Sequence, residues 1–263
     1  MPDHLLHRHD EDGIATLTLN SPASLNALSR AMLAALEGAF TALATDATIR
    51  VVILAGEGRA FCAGHDLKEM QAARTAPDKG ASFYADLFAQ CARVMQMIPA
   101  LPQPVIARVH GLATAAGCQL AASCDMVTAA DTARFGVNGV NIGLFCSTPM
   151  VALTRKIPPA LAFEMLTTGA FISAARAREA GLVNRVAPPD SLADETLALA
   201  RTIAAKLTAA VKIGKRAFYD QATLPLAEAY ALTGAVMQEN IAWRDTEEGI
   251  AAFLEKRTPD WTR

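Results

Sequence analysis

Residues 59–70 read Arg59-Ala-Phe-Cys-Ala-Gly-His-Asp-Leu-Lys-Glu-Met70, and residues 110–120 read His110-Gly-Leu-Ala-Thr-Ala-Ala-Gly-Cys-Gln-Leu120. Each stretch follows a short apolar run, Val51-Val-Ile-Leu54 in one case and Pro104-Val-Ile-Ala107 in the other. Such runs read as strands buried on both faces. Asp66 and Glu69 have the spacing of a capping box, which predicts a short helix beginning at Asp66. Ala115–Ala122 predicts a second helix made of very small residues. A strand that turns into a helix leaves backbone N–H groups unpaired beyond the strand end. Small side chains let another group approach that backbone closely. Two such donors aimed at one oxygen would stabilise a carbonyl as it becomes an oxyanion or enolate. Close packing of helix on sheet explains the same small residues, and from these stretches alone both explanations stand.

The rest of the chain extends this strand–helix alternation. Ile14–Leu19 alternates as a strand does, and Ser29 caps a helix predicted over 30–44. Residues 72–79 suggest a mobile connector before a helix over 82–98. Strands are expected at 126–129 and 183–186, and helices at 148–156 and 160–167. A further helix is capped by Ser173 and ended by Gly181. After Ser191 nearly everything reads as helix to residue 255. The order predicts an α/β core over residues 1–189 and an all-helical portion over 190–263.

Composition narrows the function classes. The 263 residues are 52% hydrophobic and 19% charged, with net charge −2 and pI about 6.2. That balance is globular and lacks the basic face expected of a nucleic-acid binder. Five cysteines, with no CxxC pair, predict free, mostly buried thiols in a reducing compartment. Residues 135–154 carry no charge, but their glycines, asparagines and Pro149 favour a buried core segment over a membrane span. The first thirteen residues are too polar for a signal peptide, and a cytoplasmic protein is expected. His4, His7 and His9 have ligand-like spacing in what reads as a solvated tail, so no metal is expected. His65 lies three residues from Cys62, and loop packing explains that spacing better than a thiol–imidazole pair.

Taken together, Ser24-Leu-Asn-Ala-Leu-Ser29, Ala60–Met70, Gly111–Asp125, Ala133-Arg-Phe-Gly136, Ile172-Ser-Ala174 with Glu179-Ala-Gly-Leu-Val183, and Gly249–Arg257 resemble the crotonase (enoyl-CoA hydratase/isomerase) superfamily over nearly the whole chain. The resemblance implies a spiral of ββα units and C-terminal helices used in trimerisation, giving a homotrimer or a dimer of trimers. It implies an acyl-coenzyme A thioester as substrate and no separate cofactor. The backbone N–H groups of His65 and Ala116 correspond to the family's oxyanion hole. Many relatives have glycine in the second position, where alanine adds a methyl. Ala63, His65, Asp66, Leu67 and Lys68, with Ala116 and Gly117, match the segments that contact coenzyme A. Lys256 and Arg257 fall where relatives place basic residues near its phosphates, at times from a neighbouring subunit.

The chain departs from the family at the two glutamates with which hydratases hold and activate water. One position is Gln119 and the other, three residues after Phe135-Gly136, is Gly139. Glutamine orients water but takes no proton at neutral pH. Glu164 and Glu179 lie in helical contexts that suggest surface or structural roles. Expected reactions are therefore those that need an oxyanion hole but not water activation. Decarboxylation of a malonyl-type thioester is one, although the tyrosine of a methylmalonyl-CoA decarboxylase would fall near Cys146. Thioester hydrolysis and a catalytically silent acyl-CoA-binding protein are the alternatives. His65 is the titratable side chain the motif places at the cavity, with Gln119 and Ser147 as polar helpers.

Overall fold

A computed structural model describes residues 5–261. From residue 51 to residue 136 the chain repeats one unit, in which a strand enters a large sheet and a short strand enters a small one. In the first two units a helical segment then returns. The large sheet holds β1 (Leu6–Glu11), β2 (Ile14–Leu19), β3 (Val51–Gly56), β5 (Val105–Val109), β7 (Met126–Ala130) and β10 (Arg185–Ala187), in that spatial order. All pairs are parallel except β1–β2. The small sheet holds β4 (Ala60–Cys62), β6 (Leu112–Thr114), β8 (Arg134–Gly136) and β9 (Phe171–Ser173), again parallel but for its last pair. The spiral that the resemblance implies is therefore present.

The first strand corrects one sequence expectation. Residues 6–11 are not a solvated tail but an edge strand in register with β2, Leu6 opposite Leu19 and Glu11 opposite Ile14. Asp12 and Gly13 both take positive φ, 52° and 76°. A two-residue Asp-Gly turn of this kind matches the twist of a hairpin. The strand's outer face stays exposed. His7 pairs with Asn20 at 3.1 Å, His4 lies outside the described residues, and no group of metal-ligating side chains occurs among those described.

Helix α1 (Arg30–Thr45) starts where predicted, with Ser29 Oγ accepting from Met32 N at 3.2 Å. Helix α2 (Leu67–Ala73) starts at the predicted cap, Asp66, whose Oδ1 accepts from the N–H groups of Lys68 and Glu69. Glu69 does not complete the box. Its carboxylate instead accepts from Arg30 N at 3.0 Å and so ties α2 to the start of α1. Where a connector is expected, residues 74–80 form a turn. Asp78 accepts there from Gly80 and Ser82, starting α3 (Ala81–Ala100). Helices α4 (Ala116–Ser123), α5 (Pro149–Leu153), α6 (Pro159–Thr168) and α7 (Ala174–Glu179) follow. Helices α1, α3 and α4 share one continuous core with the large sheet.

The helical portion does two different things. Helix α8 (Leu192–Ala204) covers the other face of the large sheet, with Ala200 and Ala204 against Ile14, Val51, Ile53 and Ile106. Beneath it, buried Thr128 and Thr196 share a hydrogen bond of 2.7 Å. Helix α9 (Thr208–Gln221) is pinned by Lys215 and Tyr219, both bound to Asp125 at the foot of β7. Helices α10 (Leu226–Ile241) and α11 (Arg244–Glu255) leave Leu226, Tyr230, Met237, Ile241, Phe253 and Leu254 exposed. No helix among the described residues is long and apolar enough to cross a membrane.

Candidate active site

A cavity of about 320 Å³ opens between the two strand-to-helix turns. Its first wall is the turn after β4. Segment 25–28 runs alongside this turn and holds it, with Ala63 N donating to Leu25 O and Leu28 N donating to Gly64 O. Asn26, fully buried, fixes that segment in turn. Its amide donates to the carbonyls of Glu57 and Ala60 and accepts from Ser21 N. The matched stretch around Asn26 is thus a brace for the turn that carries His65.

The second wall is the turn into α4. Ala115 sits at φ 50°, ψ −122°, a region a residue with a Cβ rarely enters. Its N–H donates to Gly136 O and its carbonyl accepts from Gln119 N. Gly64, at φ 89°, lets the first turn press against the second, since a Cβ there would lie 3.0 Å from that of Ala115 and 3.2 Å from Ala116 N. Gly117 is equally constrained, because a Cβ would meet the Cys62 carbonyl at 2.0 Å. Small residues in this helix therefore serve close packing, and they bring the two turns together as well. The backbone N–H groups of His65 and Ala116 donate to no acceptor among the described residues.

The side chains of the cavity are mostly apolar. Leu67, Met70, Phe88, Ile142, Leu144 and Phe145 line it, and so do Ala63, Ala116, Cys146 and Ser147. No aspartate or glutamate is among the lining residues. Glu164 and Glu179 lie on exposed helix faces, Glu179 paired with Arg176. The His65 ring lines the cavity, but its geometry is that of a packed ring. Nδ1 lies 3.2 Å from Leu28 O, and the ring meets Phe88 edge-on at 5.6 Å. A carbonyl only accepts, so Nδ1 carries the proton and Nε2 the lone pair. Nε2 is buried and has no partner. Burial holds the His65 pKa below its ordinary value, with the Leu28 hydrogen bond opposing the shift. The ring is therefore neutral at pH 7.

All five cysteines are free and buried. Burial pushes the Cys62 thiol up to about 12, which removes it as a partner for His65. Not every residue singled out in the sequence reaches the cavity. Asp66 and Lys68 sit at the start of α2 but do not line it, and neither does Gly117 or Gln119. Gln119 is buried with Oε1 unpartnered. Arg257 is held by Glu248 and Glu255 at 2.6 Å each, and neither it nor Lys256 lines this chain's own cavity. Ser147 lines it, its hydroxyl 3.5 Å from Phe145 O. Gly139 lines it too, at ordinary φ. A Cβ there would lie 2.2 Å from Leu144 O and 2.9 Å from Cys146 Sγ, so space rather than backbone angle forbids a side chain. Two further lining residues, Thr114 and Asn138, carry no signal in the sequence; they hydrogen-bond to each other.

Residues 9–263 match the profile of the family described as enoyl-CoA hydratase/isomerase. The chain belongs to the enoyl-CoA hydratase/isomerase family. Within this family it is 45% identical to enoyl-CoA hydratase domain-containing protein 3, mitochondrial, of Xenopus laevis, over 98% of this chain and 88% of that protein. The human protein of the same name is 46% identical, over 95% and 81% of the two chains. Among solved structures, an enoyl-CoA hydratase from Mycobacterium smegmatis superposes with a TM-score of 0.94 at 54% identity, covering 98% of this chain and 99% of that one. The crystal structure of the human protein gives 0.93 at 45% identity, over 98% and 100%. The mixed α/β spiral with its C-terminal helices is thus the family's fold.

Proposed function

We propose that the cavity binds a coenzyme A thioester with its carbonyl oxygen between the N–H groups of His65 and Ala116, and that the protein is an enzyme acting through the enolate formed there. One observation carries this reading. Two unpartnered N–H donors from separate turns border one cavity that has no carboxylate in its wall. Donors fixed before the reaction stabilise developing negative charge without reorganising. Nothing in the wall activates water, so hydration is not the reaction the site favours. Decarboxylation of a malonyl-type thioester fits better. The bond between Cα and the carboxylate breaks, carbon dioxide leaves, and the electron pair becomes the enolate held by the two N–H groups. Water then returns a proton to Cα. In this reading His65 contributes its backbone, and its ring packs the turn. Ser147, the nucleophile a thioesterase would need, has no base beside it among the described residues.

Lys68, beside the turn, and Lys256 and Arg257 from a neighbouring chain are the cations we assign to the coenzyme A phosphates. Calorimetry with acetyl-CoA and with coenzyme A is expected to give saturable binding, and no heat of binding up to millimolar ligand would sink the reading. The exposed apolar residues of α10 and α11 support assembly into a trimer or a hexamer. Sedimentation at micromolar concentration is expected to show one of these, and a stable monomer would overturn the assignment.

A further inference from the structure

Thr114 and Asn138 make a polar pair in a cavity that is otherwise apolar. Thr114, buried at the end of β6, places its hydroxyl 2.6 Å from the Asn138 side-chain oxygen, and both residues line the cavity. The distance fixes which way the amide faces. Hydrogen bonds of the O–H···O type centre near ~2.7 Å, whereas N–H···O bonds centre near ~2.9–3.0 Å. The threonine hydroxyl therefore donates to Oδ1, and the Asn138 NH₂ is turned away from it. That NH₂ has no acceptor among the described residues and is not sealed from solvent. Thr114 is two residues before Ala116, so the amide stands beside the turn that presents the Ala116 N–H. In register, Thr114 pairs with Gly136 of β8, so the sheet brings Thr114 alongside the 3₁₀ turn that Asn138 opens two residues later.

We infer that Asn138 is a specificity-determining residue, positioned by Thr114, whose amide reads an oxygen acceptor on the β-carbon of the acyl group. The substrates it selects are β-oxygenated thioesters, in which a keto, hydroxyl or carboxylate oxygen lies within a few bonds of the thioester carbonyl. A plain saturated acyl chain leaves the NH₂ without a partner once the cavity is filled. A buried donor left unpaired is costly, and that cost is what makes such a group selective. This inference rests on the proposed binding of the thioester at His65 and Ala116.

The test is a ratio of dissociation constants measured by calorimetry for two four-carbon thioesters, acetoacetyl-CoA and butyryl-CoA. Wild-type protein is expected to prefer acetoacetyl-CoA by about tenfold, the worth of one neutral hydrogen bond that replaces an unpaired donor. In Asn138→Ala the ratio is expected to fall to near one. Thr114→Val, which frees the amide to rotate, is expected to lower the ratio part of the way, and Thr114→Ser to restore it. If wild type binds both thioesters equally, or if Asn138→Ala keeps the wild-type ratio, the inference is overturned while the thioester site stands. If wild type binds neither, both fall together.

Discussion

Hydration of crotonyl-CoA by this protein is expected to run at least about 10³-fold more slowly than by a relative that carries both glutamates. Each positioned acid or base typically contributes ~10²–10⁴-fold, and two groups that act as a unit do not simply multiply. Gln119 and Gly139 occupy the two positions, and no aspartate or glutamate among the lining residues replaces them. The His65 ring does not substitute for them either, because its unprotonated nitrogen is buried and has no polar partner. Restoring both carboxylates, as Gln119→Glu with Gly139→Glu, is expected not to recover the activity. The obstacle is backbone: a Cβ at 139 would lie 2.2 Å from Leu144 O, and the same two residues are joined by a hydrogen bond from Leu144 N to Gly139 O. A glutamate there must displace residues 139–146, and Ile142, Leu144, Phe145 and Cys146 of that segment line the cavity. The double variant is therefore expected to bind thioesters more weakly as well. Steady-state kinetics on both proteins checks this. Fast hydration by the unmodified protein would refute the argument from missing carboxylates. Fast hydration by the double variant with unchanged affinity would refute the steric one.

Gly139 also marks how far the sequence could be read. The missing carboxylate was visible at once, since glycine has no side chain. The reason glycine is needed there was not. The contact that excludes a side chain comes from Leu144, five residues away around a loop whose path periodicity does not encode. The same division runs through the fold. Buried strands such as Val51–Gly56 announce themselves by an unbroken apolar run, and capped helices by Ser29, Asp66 and Ser173. The small sheet did not, because three-residue strands such as Ala60–Cys62 and Leu112–Thr114 are too short to show a period. The first hairpin carried a legible signal in Asp12-Gly13, which the charged histidine-rich flank obscured. At the site, the two turns were legible from their small residues. Thr114 and Asn138 were not, because their hydrogen bond joins the end of β6 to a 3₁₀ turn that begins just after β8, 24 residues away in sequence. Asn26 stood inside a matched stretch, but its role as a brace depends on carbonyls more than thirty positions downstream.

Replacing Lys215 with methionine is expected to destabilise the protein by about 3–5 kcal/mol, the usual cost of removing one partner from a buried ion pair. Lys215 Nζ donates to Asp125 Oδ2 at 2.7 Å, Gln103 O at 2.8 Å and Ile98 O at 2.9 Å, so each of its three protons has an acceptor. Both side chains of the pair are largely shielded from solvent, at 6% and 13% exposure. Asp125 in turn accepts from Val105 N at the head of β5 and from the Tyr219 hydroxyl. Methionine fills much the same volume but strands the Asp125 charge, and it takes away one of two side-chain ties from α9 to the foot of β7. The charge, rather than lost packing, is the larger part of that cost. Lys215→Met with Asp125→Asn is therefore expected to recover much of the loss, since the amide oxygen still accepts from Val105 N and the amide NH₂ donates to the Tyr219 hydroxyl oxygen in its place. A pH series separates the same causes. Burial holds the Lys215 pKa below its ordinary 10.5, with Asp125 pulling it back up. Between that lowered value and 10.5 the unfolded chain binds more protons than the folded one. Stability from this group therefore rises with pH across that window and is flat below it. The rise should be absent from Lys215→Met. Urea unfolding of the two variants and the wild type, repeated from pH 7 upward, measures all of this. A single variant within ~1 kcal/mol of wild type would show an anchor of the surface-pair kind. A double variant no better than the single one would show that stranded charge is not what the lysine prevents.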